Sequence, residues 1–150
     1  MWKAGLASAL LLLAACAESP PPDPNRIVAG NAAQGELYAR QRCVICHQIG
    51  DRGGKIGPVI GEAMKKAVER STSFEAIVAD LERTNPEHRE EKRAKIDPIL
   101  AERDPERRLR LWLATYLGDP RFENPSNRMQ VLPMSPEERA NVLAWLLSLR

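Results

Sequence analysis

The sequence predicts an all-α fold. Apolar residues recur at helical spacing in several segments, and these segments follow residue pairs that are typical of a helix start, such as Asp104-Pro105 and Ser135-Pro136. No segment alternates polar and apolar residues strongly enough to predict a strand. The chain has 150 residues, of which 43% are hydrophobic, so it is long enough for one domain with its own core.

The first residues have the pattern of a secretory signal peptide. Lys3 supplies a positive charge, and the mostly apolar run Ala4–Ala15 is too short to span a bilayer but suits a signal-peptide core. The run ends Leu13-Ala14-Ala15-Cys16, which resembles the lipobox of bacterial lipoproteins. The resemblance implies that residues 1–15 are a lipoprotein signal peptide and that Cys16 is the lipid attachment site. A free or buried thiol after an ordinary signal peptide is the alternative.

Residues 16–30 are expected to form the lipid anchor and a proline-rich linker. Four prolines within residues 18–25 favour extended polyproline backbone, which rises about 3.1 Å per residue and makes a semi-rigid spacer. A tail without a mechanical role is the alternative. The folded domain is expected to occupy residues 31–150.

Residues Cys43-Val44-Ile45-Cys46-His47 form a C-x-x-C-H motif. At this spacing two thiols can add to the two vinyl groups of haem while the adjacent histidine ligates the iron. C-x-x-C alone would also fit a zinc knuckle or a redox dithiol, but the following histidine favours haem. The export signal supports haem too, because this attachment resembles what exported bacterial cytochromes undergo. We therefore expect one covalent haem c per chain, held by Cys43 and Cys46 and ligated by His47.

The segment before the motif predicts a helix, with Asn31 as N-cap, Gln34 completing a capping box, and an end near Arg42. With Gly35 and Tyr38 on this helix before C-x-x-C-H, the chain resembles the class I cytochromes c. The resemblance implies that the first helix crosses the C-terminal helix at close range, with Gly35 allowing backbone approach. It also implies the class I cytochrome c fold, in which these two helices pack around one covalently bound haem, here with two or three extra middle helices.

The residues after the motif are expected to support His47. Residues 50–54 predict a flexible glycine-rich loop, and Gly57-Pro58 follows it. The resemblance implies that the Pro58 carbonyl accepts a hydrogen bond from the ring nitrogen of His47 that does not face the iron. Such a bond would fix the ring orientation. A simple turn at this place is the alternative.

Two helices are predicted in the middle of the chain. Ser73 can cap the first, and Asn85-Pro86 can start the second over the charged run 87–97, whose alternating signs indicate a solvated face. The apolar stripe of the first helix consists of Phe74, Ile77, Val78 and Leu81. His88 lies in the charged run, so we expect it on a wet surface rather than as a second histidine ligand.

A further helix is predicted from Asp104-Pro105 to Gly118. Its apolar stripe consists of Leu109, Trp112, Leu113 and Tyr116. We expect this stripe in the core, with Trp112 or Tyr116 near the haem. Residues 119–133, which include three prolines, predict a loop.

That loop carries the candidate for the second iron ligand. In class I cytochromes c an extended segment brings a methionine over the open haem face several residues before the last helix. The resemblance implies that Met129 is this ligand, although Gln130 stands where the family has a proline. Met134 is the alternative ligand, with little freedom to move because it adjoins the next N-cap. Either methionine could be an ordinary core residue if the sixth position is open.

The chain ends in a predicted amphipathic helix. Ser135 and Glu138 have the spacing of a capping box. The apolar residues of one helix face are Val142, Leu143, Leu146 and Leu149. Trp145 is expected to pack on the first helix near Tyr38.

The net charge and the two expected iron ligands limit the classes of function that fit this chain. A net charge of +2, from 22 basic and 20 acidic residues, lacks the one-sided basic excess of a nucleic-acid binder. A haem bound by both His47 and Met129 would be saturated and would exchange only electrons. We therefore expect a membrane-anchored monohaem cytochrome c, not an enzyme, that carries electrons between redox protein partners on the periplasmic side of a bacterial membrane.

Two alternatives stay open. A haem enzyme or a gas-binding sensor would have an open distal site, where Arg128 could polarise a bound ligand if Met129 does not bind the iron. The chain could instead be a haem subunit of a larger oxidoreductase complex, which differs from a free carrier only in the permanence of its partner.

Overall fold

The computed structural model describes residues 29–150, so the expected signal peptide, Cys16 and most of the linker lie outside it. The all-α prediction is confirmed, because the described residues form seven α-helices and only one two-stranded hairpin. The helices are α1 (Ala32–Arg42), α2 (Ile60–Thr72), α3 (Phe74–Thr84), α4 (Pro86–Glu91), α5 (Arg93–Ala101), α6 (Pro105–Gly118) and α7 (Pro136–Leu147). The strands are β1 (Gln48–Ile49) and β2 (Arg52–Gly53). None of the helices described is long and apolar enough to cross a membrane.

Helices α1 and α7 cross with their backbones in contact. A Cβ atom on Gly35 would lie 2.0 Å from the carbonyl oxygen of Asn141, and one on Gly30 would lie 1.9 Å from that of Ala140. Because real side chains do not fit at such distances, both positions require glycine. The close approach expected at Gly35 is therefore present, and Trp145 packs on α1 beside it, with its own Cβ 2.9 Å from the place that a Gly35 Cβ would occupy.

The N-cap of α1 is confirmed, but its capping box is not. The Asn31 side chain accepts the N–H groups of Ala33 and Gln34, as an N-cap should. Its own N–H donates to Asn141 Oδ1 at 2.6 Å rather than to Gln34. Because Asn141 lies on α7, this hydrogen bond joins the start of α1 to α7.

The middle of the chain has more helices than the two or three predicted. Helix α2 was missed although the signal was present. Its buried residues Ile60, Met64 and Ala67 lie at the helical spacing i, i+4 and i+7. The charged run starts at the Asn85 cap, as predicted, but divides at Lys92 into α4 and α5. Ser73 precedes α3 without capping it, since its hydroxyl donates to the Glu69 carbonyl.

The predicted flexible loop at residues 50–54 is instead part of a β-hairpin. Strands β1 and β2 pair antiparallel, with Gln48 opposite Gly53 and Ile49 opposite Arg52. Gly50 occupies the turn with φ +62°, a conformation that favours glycine. Strands of two residues are too short to show an alternating pattern, which is why the sequence predicted none.

Helix α6 forms the middle of the core and packs against α2, α5 and α7. It begins at the Asp104 cap and ends at Gly118, as predicted. Three of its four stripe residues are buried, and Tyr116 is half-buried. In α7 the Ser135–Glu138 capping box is present. Leu149 was wrongly included in the apolar face, because it lies beyond the end of α7 and is 40% exposed.

The α1–α7 contact predicts the effect of Gly35→Ala. The added methyl group would overlap the Asn141 carbonyl, so we expect the free energy of unfolding to fall by about 1–3 kcal/mol in a denaturant titration. Gly61→Ala is the matched control, because a Cβ at Gly61 meets nothing within 4 Å and alanine favours helix. Equal stability of the Gly35 and Gly61 variants would contradict the close crossing.

Candidate functional site

The C-x-x-C-H motif forms a tight loop directly after α1. Residues Cys43–Ile45 make one turn of 3₁₀ helix, and the His47 N–H donates to the Cys43 carbonyl at 2.8 Å. The segment after the motif, residues 54–57, packs against this loop through backbone hydrogen bonds. The Gly54 N–H donates to the Val44 carbonyl at 2.8 Å, and the Gly57 N–H donates to the Cys46 carbonyl at 2.9 Å. The motif backbone is therefore fixed by residues that follow it within a dozen positions.

Glycines in this segment allow that close contact, which was not predicted from the sequence. A Cβ on Gly53 would lie 2.1 Å from the His47 carbonyl oxygen, and one on Gly54 would lie 2.3 Å from that of Ile45. Gly53 also has φ +121°. The run Gly53-Gly54 before Gly57-Pro58 was the available signal, because repeated glycine marks close backbone approach as well as flexibility.

The ring of His47 is held on two sides. Its Nδ1 lies 2.8 Å from the Pro58 carbonyl oxygen, the contact that the sequence resemblance implied. A Cβ on Gly57 would lie 2.5 Å from the ring, so glycine lets this segment pack directly against the imidazole. A carbonyl oxygen can only accept a hydrogen bond, so Nδ1 carries the proton. In the neutral tautomer with this proton the lone pair is on Nε2, which makes no hydrogen bond within residues 29–150.

Cys43 and Cys46 lie beside this histidine as half-buried thiols that are not joined in a disulfide. Burial raises the pKa of the Cys43 thiol, and the nearby Cys46 raises it further. The Cys43 thiol is therefore protonated at neutral pH. Both sulfur atoms remain available for a covalent bond.

Several large apolar side chains in the segments that carry the candidate site residues are exposed. Ile45 is 65% exposed and Ile56 is 85% exposed, and Val59 and Val131 are also exposed. The first three belong to the motif and its following segment, and Val131 lies two residues after Met129. Leu37, Val68 and Leu149 are exposed as well, so exposure alone does not mark a site; Ile45, Ile56 and Val59 differ because they lie in the motif and the segment packed on it. Two free thiols and a fixed imidazole are a donor set that fits haem, and these three side chains add apolar surface in the same part of the chain.

Met129 lies in the loop between α6 and α7, half-buried against the edge of the core. Its N–H donates to Asn127 Oδ1 at 2.9 Å. It also lines a cavity together with His88 and Val131. Met134 is likewise half-buried against the core, directly before the Ser135 cap.

The remaining candidates have other surroundings. His88 is half-buried rather than on a wet surface. Its Nε2 lies 2.9 Å from the Arg121 carbonyl oxygen. Arg128 is exposed. In the part of the chain that the structure describes, no three His, Cys, Asp or Glu side chains are grouped as a metal site would require.

The loop that carries Met129 is anchored by a buried carboxylate, Glu123, which was not predicted from the sequence. The Glu123 side chain is 2% exposed. Its Oε1 accepts Arg70 Nε–H at 2.5 Å, and its Oε2 accepts Trp112 Nε1–H at 2.9 Å. These bonds tie the loop to α2 and α6, and nothing in the sequence near Glu123 signals either partner.

Comparisons with protein-family models, curated proteins and solved structures found no match.

The packing of Gly57 on His47 predicts the effect of Gly57→Ala. The methyl group would displace the imidazole and break the Nδ1 bond to Pro58. We expect the ¹⁵N NMR signals of the His47 ring to lose the single-tautomer pattern that a fixed Nδ1–H gives. Ile56→Ala changes the adjacent exposed side chain and should leave these signals as they are. Unchanged ring signals in the Gly57 variant would show that this packing does not orient His47.

Proposed function

We propose that this chain is a membrane-anchored monohaem cytochrome c of the class I fold, which carries single electrons between redox protein partners. In this proposal Cys43 and Cys46 bind one haem c covalently, and His47 and Met129 ligate its iron. Cys16 carries the lipid that holds the domain on the periplasmic side of a bacterial membrane. The proline-rich linker then lets the domain meet partners near that membrane.

One observation carries the proposal, the hydrogen bond between His47 Nδ1 and the Pro58 carbonyl. It assigns the proton of the neutral ring to Nδ1, so that the lone pair available to a metal is on Nε2. A histidine that ligates a metal usually has its other nitrogen bound in this way, which fixes the ring and increases its basicity. The same histidine follows two free thiols at the spacing of a haem c attachment motif.

The surroundings of the motif support the same conclusion. An electron carrier needs its cofactor in an apolar environment, and Ile45, Ile56 and Val59 present apolar surface beside the thiols. Close packing of the first and last helices, seen at Gly35, agrees with the class I arrangement. Haem, when bound, supplies an iron that gains and loses one electron.

The residues of the chain then have separate roles. Pro58 and Gly57 keep the imidazole of His47 in one orientation. Met129 offers a thioether sulfur, a ligand that favours the reduced metal and raises the potential. Cys43 and Cys46 keep the cofactor attached through repeated electron exchange. None of these roles requires a catalytic acid or base.

The surroundings of two polar candidates favour a carrier over a haem enzyme. His88 already uses Nε2 to bind the Arg121 carbonyl, and Arg128 lies exposed. An enzyme or a gas sensor needs a polar group directed at a ligand on the distal face. Neither residue has surroundings that hold it for that role.

Carbon monoxide tests the proposed ligand set. Because a saturated iron has no free position, we expect the absorption spectrum of the reduced protein to stay unchanged when carbon monoxide is added. Met129→Ala removes the sixth ligand and should allow rapid binding. Met134→Ala is the matched control and should behave as the natural chain does.

The other outcomes are informative in the same assay. Rapid binding by the unaltered protein would contradict the carrier proposal and support an enzyme or a sensor with an open distal site. Binding after Met134→Ala, but not after Met129→Ala, would assign the sixth position to Met134.

A further inference from the structure

Asn127 uses every polar group it has to hold the loop around Met129. Its side-chain Oδ1 accepts the Met129 N–H at 2.9 Å, and its Nδ2 donates to the Tyr116 hydroxyl at 2.9 Å. Its backbone N–H donates to the Asn124 carbonyl at 3.0 Å, and its carbonyl accepts Arg121 Nε–H at 3.1 Å. A residue two positions before a candidate ligand is thereby fixed on all sides.

We propose that Asn127 is a positioning residue, which holds Met129 at one distance from α6 and so keeps its sulfur available to the iron. This inference rests on the proposed function, because it assumes that Met129 is the sixth ligand. Asn127 itself acts only through the backbone of Met129. The planar side-chain amide of Asn127 binds the Met129 backbone at one end and Tyr116 of α6 at the other.

The orientation of this amide follows from its neighbours. The Met129 N–H is only a donor, so the oxygen of the amide must face it, and the nitrogen must face Tyr116. A hydroxyl can accept this bond without difficulty. The bridge therefore has a single arrangement, and a side chain of different length or polarity would not reproduce it.

The residue at the far end of the bridge is itself packed against a neighbouring ring. The Tyr116 ring stacks on Trp112 with centroids 4.9 Å apart and planes 15° apart. Trp112 donates its indole N–H to the buried Glu123, which also binds Arg70. Met129 is thus connected through side chains to both α6 and α2, and α6 lies in the middle of the core.

Preorganisation is the expected result of this connection. A ligand whose backbone is already fixed loses less conformational entropy when it binds the metal, so it leaves the metal less often. Without the bridge, the Met129 segment would keep its sulfur but sample more positions. The iron would then lose its sixth ligand more often, although the same two residues still ligate it.

Asn127→Ala tests the proposal in the full-length holoprotein. Carbon monoxide can bind the reduced iron only while Met129 is dissociated, so its binding rate reports how often the sulfur leaves. Loss of two hydrogen bonds should raise this rate about tenfold or more. The Met129 amide should also exchange its hydrogen with solvent faster, as measured by NMR. Tyr116→Phe keeps the ring stack but removes the acceptor of Asn127, so it should raise both rates by a smaller factor.

Two control variants separate positioning from general loss of stability. Asn124→Ala removes a side chain of the same type in the same loop, one that accepts the Ser126 N–H instead of that of Met129. Val78→Ala weakens the fold in α3, because it shortens a side chain that is only 4% exposed. Both should bind carbon monoxide as slowly as the natural chain. An equal increase in either control would overturn the assignment of Asn127, since the effect would not be specific.

The same measurements distinguish failure of the inference from failure of the proposed function. If the natural chain binds carbon monoxide as fast as Met129→Ala does, then Met129 is not the ligand and the proposed function fails with it. If the natural chain resists binding and Met129→Ala opens the site, but Asn127→Ala remains slow, then the ligand set stands and the positioning role is wrong.

Discussion

The backbone contact between α1 and α7 is the constraint on which the rest of the structure depends. Gly35 lets the two helices touch, and Asn141 caps the start of α1 from the side of α7. Helix α1 runs directly into the Cys43 turn, so the crossing also sets the position of the motif. The Tyr38 hydroxyl, which donates to the Pro133 carbonyl at 3.2 Å, joins α1 to the end of the Met129 loop. The α1–α7 contact therefore helps to place both halves of the proposed haem site, the His47 half and the Met129 half.

These two halves are stabilised in different ways. His47 is held by near neighbours in the chain, through the Pro58 carbonyl and the close approach of Gly57. Met129 is held by residues far apart in sequence, through Asn127 and Tyr116 and then through the buried Glu123. Contacts between residues close in sequence have the smaller loop-closure cost, whereas the second set requires α2 and α6 to be packed. The histidine side should therefore be the more robust half, and the methionine side the one that responds to the state of the fold.

Whether the sequence predicted a feature depends only partly on how far apart its residues lie in the chain. The all-α class, the α6 cap and the α7 capping box depend on residues within a few positions of one another, and the structure has all of them. Helix α2 was missed although Ile60, Met64 and Ala67 lie at helical spacing, and the hairpin was missed because its strands are two residues long. Glu123 could not have been identified, since a carboxylate in a proline-containing loop gives no local sign that Arg70 and Trp112 will enclose it. Partners distant in sequence become visible only when the chain is folded.

Retention of haem by the denatured chain is the direct test of covalent attachment to Cys43 and Cys46. The full-length protein would be produced in a bacterium that attaches haem c, precipitated with acidified acetone, and analysed by absorption and intact mass. Haem should stay with the polypeptide and raise its mass by one haem per chain, and Cys43→Ser with Cys46→Ser should abolish both. A colourless polypeptide of unmodified mass, with Cys43 and Cys46 still reactive as free thiols, would contradict it.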